Sequence, residues 1–212
     1  MQWTLVVPVK PLARAKSRLS DTADDAVRPD LALAFALDTV AAALACPAVA
    51  DVAVVTDDPR AGRELAALGA GIVADEPGGG LNAALAHAAT AVRAARPGTV
   101  VAALNADLPA LRPAELTRVL NAAAQFPRSF LPDAAGIGTT LLAAAPGVGL
   151  RPVFGPDSRR AHRTSGAVEL RLTAVDSVRQ DVDTGADLRA ALALGVGPRT
   201  AAAAARLLIA EQ

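Results

Sequence analysis

The sequence lacks the features that mark secreted, membrane-spanning and nucleic-acid-binding proteins. It has one cysteine, Cys46, so neither an internal disulfide framework nor a multi-cysteine metal site can form. Its 21 basic and 21 acidic residues cancel, which leaves no positive field to attract nucleic acid or an anionic membrane. Apolar runs stop well short of the roughly 18 residues of a membrane span, and no basic segment precedes the first of them, so no signal peptide is expected. These absences predict a soluble cytoplasmic protein without nucleic-acid or membrane partners.

Aromatic residues and lysine are also scarce. The chain has no tyrosine, whereas alanine occurs 53 times among 212 residues, a bias typical of G+C-rich coding. Of the basic residues 19 are arginine and only 2 are lysine, and both lysines, Lys10 and Lys16, lie within the first sixteen positions. Lysine carries a compact point charge that arginine does not reproduce. The segment that holds both lysines is therefore a candidate site.

The apolar content, 52% of the residues, is enough for the core of one domain spanning residues 1–212. In the first half, short runs rich in valine and leucine alternate with helical patterns. This alternation is typical of crossover units and predicts an α/β fold with a mostly parallel sheet covered on both faces. The predicted strands are 3–9, 51–56, 72–74, 99–104, 129–132, 139–145 and 168–172, and the predicted helices are 28–45, 60–68, 82–95, 113–124, 158–165, 184–194 and 200–210.

The first candidate site is the segment VPVKPLARAKSRL, residues 7–19, which holds Lys10, Arg14, Lys16 and Arg18. It follows the first predicted strand, and open α/β sheets bind ligands at the carboxyl ends of their strands. Converging cations suit a triphosphate, whose charge must be neutralised for binding and for phosphoryl transfer. A solvated loop is an equally good interpretation of this segment alone. No G-x-G-x-x-G pattern occurs here, which disfavours a dinucleotide-binding oxidoreductase.

Three acidic residues form the second candidate site. Asp107 follows a buried strand in TVVAALNADLPAL, and Asp181 and Asp183 flank Val182 in QDVDTGADL. In an extended segment alternate side chains point to one side, so the last two acids suit paired oxygen ligation. Carboxylates without histidine or cysteine partners indicate Mg²⁺. The alternatives are structural, since Asp107 can cap a turn and Asp183-Thr184 can cap the following helix.

Further polar positions are less specific. FGPDS, residues 154–158, offers Gly155, where a ligand can approach the backbone closely, and Ser158, which can cap a helix whose first amides face an anion. Asn82, in GGGLNAAL, either contacts a base or ribose or caps its helix. His87 and His162 lack metal-ligand spacing, so a surface or packing role is expected for both.

Together these segments resemble the guanylyltransferases that make the phosphoenolpyruvyl or phospholactyl part of the deazaflavin coenzyme F-420. The resemblance covers nearly the whole chain and depends on a combination: VKPLARAKSRL without glycines, NADLPAL, GIGTTLL, FGPDS followed by a histidine, and DVDT near the end. It implies a three-layer nucleotidyltransferase fold, similar to that of the molybdenum-cofactor nucleotidyltransferases, with a mostly parallel central sheet. Family members often have glycine before the first acid, where this chain has Ala106.

The resemblance also implies roles for single residues. Asp107, Asp181 and Asp183 match the acids that hold Mg²⁺, and Asp107 and Lys16 are expected to be catalytic. The positions matching the acceptor site are Thr140, Gly155 and Ser158, and those matching the nucleotide site are Lys10, Arg14, Lys16 and Asn82.

The implied reaction joins GTP to phosphoenolpyruvate and releases pyrophosphate. A phosphate monoester is already ionised at neutral pH, so alignment of the two anions and neutralisation of their charge suffice without a strong general base. The alternatives are 2-phospho-L-lactate as the acceptor, or a nucleotide-binding module without catalysis. The expected partners are the small-molecule substrates and a hand-off of the product to the next enzyme of the pathway.

Overall fold

The computed structural model describes residues 2–14, 27–75 and 79–210. Within these residues seven strands form one sheet in the order β3-β2-β1-β4-β6-β5-β7. Strand β6 is antiparallel to both of its neighbours, and every other pairing is parallel. The mostly parallel sheet predicted from the alternating pattern is thereby confirmed. The strands are β1 (Trp3–Pro8), β2 (Val49–Val55), β3 (Gly71–Val73), β4 (Val100–Leu104), β5 (Arg128–Pro132), β6 (Thr139–Ala144) and β7 (Val168–Glu169).

Eight α-helices accompany the sheet in the described part of the chain. They are α1 (Arg28–Leu44), α2 (Pro59–Ala67), α3 (Leu81–Ala95), α4 (Pro113–Ala123), α5 (Ser158–Thr164), α6 (Asp176–Arg179), α7 (Gly185–Leu194) and α8 (Pro198–Ala210). The sequence did not predict α6 or a 3₁₀ turn at Leu12–Arg14, both of which are too short for a periodic signal. The prediction for β7 extended to residue 172 and was too long, since the strand ends at Glu169; beyond it Arg179 donates to the carbonyl groups of Leu170 and Leu172.

The core lies on both faces of the sheet. Successive residues of a strand point to opposite faces, so Leu5 and Val7 of β1 pack with helices α1, α2 and α4, whereas Val6 packs with α3. All three side chains are fully buried, and burying each one contributes about 1.5–3 kcal/mol. Helices on both faces give the three layers expected from the sequence. No helix in the described ranges has the length and apolarity to cross a membrane.

The strand directions bring several chain segments to one edge of the sheet. β1 and β4 are parallel neighbours and both end there, and the antiparallel β6 begins there, with Leu104 opposite Leu141. β5 ends at the same edge, where Pro132 is opposite Thr139. The segments after β1, β4 and β5 and the start of β6 therefore share one edge.

Candidate active site

A cavity of about 700 Å³ lies at this edge of the sheet, a volume typical of small-molecule sites. Most of the residues predicted to bind substrate or metal line it. They are Lys10, Asp107, Gly155, Ser158, Asp181 and Asp183. Residues separated by up to 173 positions in the sequence thus meet at one place.

The basic segment reaches the cavity through Lys10, which is exposed. The Leu12 amide donates to Asp58 Oδ2 at 2.9 Å, and the other carboxylate oxygen caps helix α2 by accepting from the Arg60 and Ala61 amides. Burial tends to raise the pKa of Asp58, but these three donors hold it below its ordinary value. The start of the basic segment is therefore fixed to α2. Arg14 ends the 3₁₀ turn, and Lys16 lies outside the described residues.

Asp107 follows β4, and helix α1 anchors the backbone beside it. The Leu108 amide donates to Thr39 Oγ1 at 3.0 Å, and the Thr39 hydroxyl donates to the Phe35 carbonyl at 2.7 Å. Thr39 is fully buried. A short buried hydrogen-bond chain thus fixes where Asp107 enters the cavity.

The second acidic segment is attached to the first. The Val182 amide donates to the Asp107 carbonyl at 3.0 Å, and the Val182 side chain is fully buried in a cluster with Phe35 and Leu188. Because Val182 faces this cluster, Asp181 and Asp183 on either side of it reach the cavity.

Thr184, and not Asp183, caps helix α7. The Thr184 hydroxyl accepts from the Asp187 amide, and Asp187 Oδ2 accepts in return from the Thr184 amide at 2.8 Å, which forms a capping box. Asp183 contributes its own amide to Asp187 at 3.2 Å, and its side chain lines the cavity. The sequence left open whether Asp183 caps this helix; the structure gives that role to its neighbour.

The three carboxylates suit a hard cation by their chemistry, but they do not form a closed cage. Among the described residues no three histidine, cysteine or acidic side chains are grouped closely enough to hold a metal ion by themselves. Asn105, two positions before Asp107, adds an amide that lies 3.5 Å from Asp181 Oδ2 and also lines the cavity. The alternation in Asn105-Ala106-Asp107 could have identified Asn105, since such residues share one side of an extended segment.

Asn82 has a scaffolding role. Its Nδ2 donates to the Phe154 carbonyl at 2.9 Å, and its Oδ1 accepts from the Phe154 amide at 2.8 Å. Gly80 occupies the N-cap of α3, so Asn82 does not cap its helix. This pair of bonds holds the segment that carries Gly155 and Ser158, and the predicted contact of Asn82 with a nucleotide stays a prediction.

The two threonines at the start of β6, Thr139 and Thr140, lie in different environments. Thr140 is fully buried, and its hydroxyl makes no hydrogen bond within the described structure. Thr139 lines the cavity instead, as Ser158 does. The contact of Thr140 with an acceptor therefore stays a prediction. The sequence pointed to both threonines, and of the two it is Thr139 that lines the cavity.

His162 packs in the interior, one of the roles that the sequence predicted, and also makes polar contacts that the sequence did not predict. It is fully buried, but its ring contacts more than packing partners, because Nδ1 lies 3.0 Å from Thr139 Oγ1 and Nε2 accepts from the Val153 amide at 3.1 Å. Burial, with a smaller contribution from Arg128, lowers its pKa to about 4. His162 is therefore neutral near pH 7 and joins the wall of the cavity to the loop before Phe154.

The fold of the chain is the one found in solved nucleotidyltransferases. A nucleotidyl transferase from Methanothermobacter has the same fold with a TM-score of 0.55 and 22% identity, over 91% of this chain and 97% of that chain. The family model described as "Guanylyl transferase CofC like" matches residues 3–202. The chain belongs to this family of guanylyl transferases.

Curated relatives agree with the family match over almost their whole length. The chain is 85% identical over 212 residues, 100% of both chains, to a protein of Streptomyces coelicolor named phosphoenolpyruvate guanylyltransferase. It is 81% identical over 209 residues to a protein of the same name from Streptomyces avermitilis, covering 99% of this chain and 97% of that one.

Proposed function

We propose that this protein joins GTP to phosphoenolpyruvate, giving enolpyruvoyl-diphospho-guanosine and pyrophosphate in the biosynthesis of coenzyme F-420. One observation carries the chemistry: Asp107 and the Asp181–Asp183 segment meet at a cavity that Lys10 also lines. The names of the 85% and 81% identical relatives support phosphoenolpyruvate as the acceptor. Both substrates are metabolites of the cytoplasm, and we place the enzyme there.

Asp107, Asp181 and Asp183 would hold Mg²⁺ together with phosphate oxygens of the substrates. Magnesium keeps several waters and is usually bound by one or two carboxylates plus substrate phosphates, so an open set of three carboxylates suits this ion. When bound, Mg²⁺ supplies positive charge that offsets the repulsion between the two anionic substrates. The backbone bond from Val182 to Asp107 keeps the two carboxylate segments at a fixed separation.

The residues of the cavity would act by alignment and charge neutralisation. A phosphate oxygen of phosphoenolpyruvate attacks the α-phosphorus of GTP, a new P–O–P bond forms, and the bond to the pyrophosphate leaving group breaks. The attacking oxygen is already ionised, so no side chain has to remove a proton. Lys10 is exposed and lines the cavity, where a cation would bind the leaving phosphates, and we extend this role to Arg14 and Lys16 of the same segment.

The test is release of pyrophosphate from GTP in the presence of Mg²⁺ and either phosphoenolpyruvate or 2-phospho-L-lactate, with the nucleotide product identified by mass. We expect release chiefly with phosphoenolpyruvate. Equal or higher kcat/KM with 2-phospho-L-lactate would overturn the acceptor but leave guanylyl transfer standing. No release with either acceptor and any nucleoside triphosphate would overturn the reaction itself.

A further inference from the structure

Two hydrogen bonds determine which ring nitrogen of His162 carries the proton. A backbone amide is always a donor, so the bond from the Val153 amide requires that Nε2 be an acceptor without a hydrogen. A neutral imidazole has one N–H, and it must then be on Nδ1. His162 is buried away from water, and its lowered pKa keeps the ring neutral in the physiological range. The ring is consequently locked as the Nδ1–H tautomer.

This tautomer determines the direction of the bond to Thr139. Nδ1 lies 3.0 Å from Thr139 Oγ1 and is the donor, so the threonine oxygen accepts. The hydroxyl hydrogen of Thr139 cannot point back to the ring and has to point elsewhere. Thr139 is 3% exposed and lines the cavity, and among the described residues its hydroxyl makes no other hydrogen bond.

We propose that His162 is a positioning residue that turns the Thr139 hydroxyl into an obligate hydrogen-bond donor for an anionic oxygen of the acceptor. The acceptor is a small molecule bearing a carboxylate and a phosphate, and this inference rests on the proposed function. Thr139 lines the same cavity as Gly155 and Ser158, the residues expected to bind the acceptor. A hydroxyl that can only donate favours an anion over a neutral or donor group.

His162 also fixes the backbone of the segment that leads to Gly155. His162 lies on α5 and holds the Val153 amide, and Asn82 on α3 holds the next residue, Phe154, by both backbone groups. The rings of Phe154 and His162 pack edge-on, with their centroids 4.9 Å apart. Loss of His162 therefore affects the orientation of Thr139 and the position of the 153–155 backbone, and the experiment has to separate these two effects.

Four variants separate them. Thr139→Val removes the hydroxyl at nearly constant volume, and Thr139→Ser keeps it. His162→Gln retains an acceptor for the Val153 amide but has no donor at the Nδ1 position, whereas His162→Asn retains that donor and gives up the Val153 bond. His87→Gln changes the chain's other histidine, which is exposed on α3, and serves as the control.

We expect Thr139→Val to raise the KM for phosphoenolpyruvate roughly tenfold or more, since a hydrogen bond to a charged group is lost, while the KM for GTP stays within about twofold. His162→Gln should raise the same KM. Thr139→Ser and His162→Asn keep the donor arrangement at Thr139 and should raise this KM less than Thr139→Val and His162→Gln do, whereas His87→Gln should match wild type. The double variant Thr139→Val/His162→Gln should be no worse in this KM than Thr139→Val alone, because His162 acts through Thr139. Fully additive effects would mean that His162 has only a structural role and would overturn the proposal.

A spectroscopic measurement tests the tautomer without turnover. With two histidines in the chain, ¹⁵N spectra assigned with His87→Gln should show His162 as the Nδ1–H form, the minor form of free imidazole. An Nε2–H form would overturn the proposal. If the wild type uses phosphoenolpyruvate and Thr139→Val leaves its KM unchanged, this inference fails while the proposed function stands. If the wild type neither binds nor uses either acceptor, the proposed function fails and the inference fails with it.

Discussion

Asp183 and Thr184 are adjacent, and replacing each should give opposite results. Asp183→Asn removes a carboxylate from the cavity wall, and we expect kcat/KM to fall by at least roughly two orders of magnitude, about 3 kcal/mol of transition-state stabilisation. Its stability should be unchanged or higher, because one of three neighbouring negative charges is neutralised.

Thr184→Ala instead removes the side-chain half of the capping box. The bonds lost are the one from the Asp187 amide to Thr184 Oγ1 and the one from that hydroxyl to Asp187 Oδ2, at 3.3 and 2.8 Å. Loss of an N-cap costs about 1 kcal/mol, which lowers the Tm of a chain of this size by roughly 2–4 °C. Turnover should stay within a few fold of wild type, because the backbone of the acidic segment is still held by Val182.

Both quantities are measured on the same preparations, kcat/KM by pyrophosphate release over a range of Mg²⁺ concentrations and Tm by calorimetry. Asp51→Asn is the matched control, since it neutralises a half-exposed carboxylate on β2 that pairs with Arg96; a surface pair of this kind contributes at most about 1 kcal/mol. If Asp183→Asn had a normal rate at low Mg²⁺ and the same loss of Tm as Thr184→Ala, Asp183 would belong to the cap alone, and its role as a ligand would be refuted.

Two further predictions concern buried polar groups. Thr39→Val should lower the free energy of unfolding by about 1–3 kcal/mol, since the Leu108 amide loses its acceptor. It should also lower kcat/KM, because Asp107 is adjacent to Leu108. Thr39→Ser should restore both quantities, and a normal rate in the valine variant would disprove the anchoring role. Burial places the pKa of His162 at about 4, below its ordinary 6.5, so the unfolded chain binds more protons between these values and stability should fall as pH drops from about 6.5 to 4. In urea unfolding at several pH values His162→Gln should lack this part of the slope, and an unchanged slope would contradict the assignment.

Much of the fold was predictable because its strands are short, apolar and bounded by turn signals. The predicted helix start at Asp58-Pro59 is confirmed, with Asp58 as the N-cap and Pro59 at the first helical position. The insertion of the antiparallel β6 between β4 and β5 was not predictable, since it depends on pairing between residues about 40 positions apart. Strand β7 ends at Glu169, three residues before the predicted end at residue 172.

The acids of the site could be found from the sequence because each follows a recognisable pattern, a strand end for Asp107 and strict alternation for Asp181 and Asp183. The Thr139–His162 pair could not. The sequence around His162 is rich in arginine and contains no metal-ligand spacing. Its partner, Thr139, lies 23 positions earlier on another element. Only the packing of α5 against the start of β6 gives this histidine its polar role.

Helix α1 explains how acids from distant segments keep a common geometry. Its Thr39 holds the backbone after Asp107, its Phe35 packs on Val182 between the other two acids, and its Asp38 accepts from the Arg199 and Thr200 amides at the start of α8. The segment before α8 is also joined to the segment after Asp107, because the Gly197 amide donates to the Pro109 carbonyl at 2.9 Å. A Cβ at Gly197 would come within 2.3 Å of the Asp38 carboxyl carbon, so this approach requires glycine. The acidic side of the cavity is thus built on one buried helix that supplies no carboxylate to it, and changes on α1 should alter activity through the backbone positions of the acids.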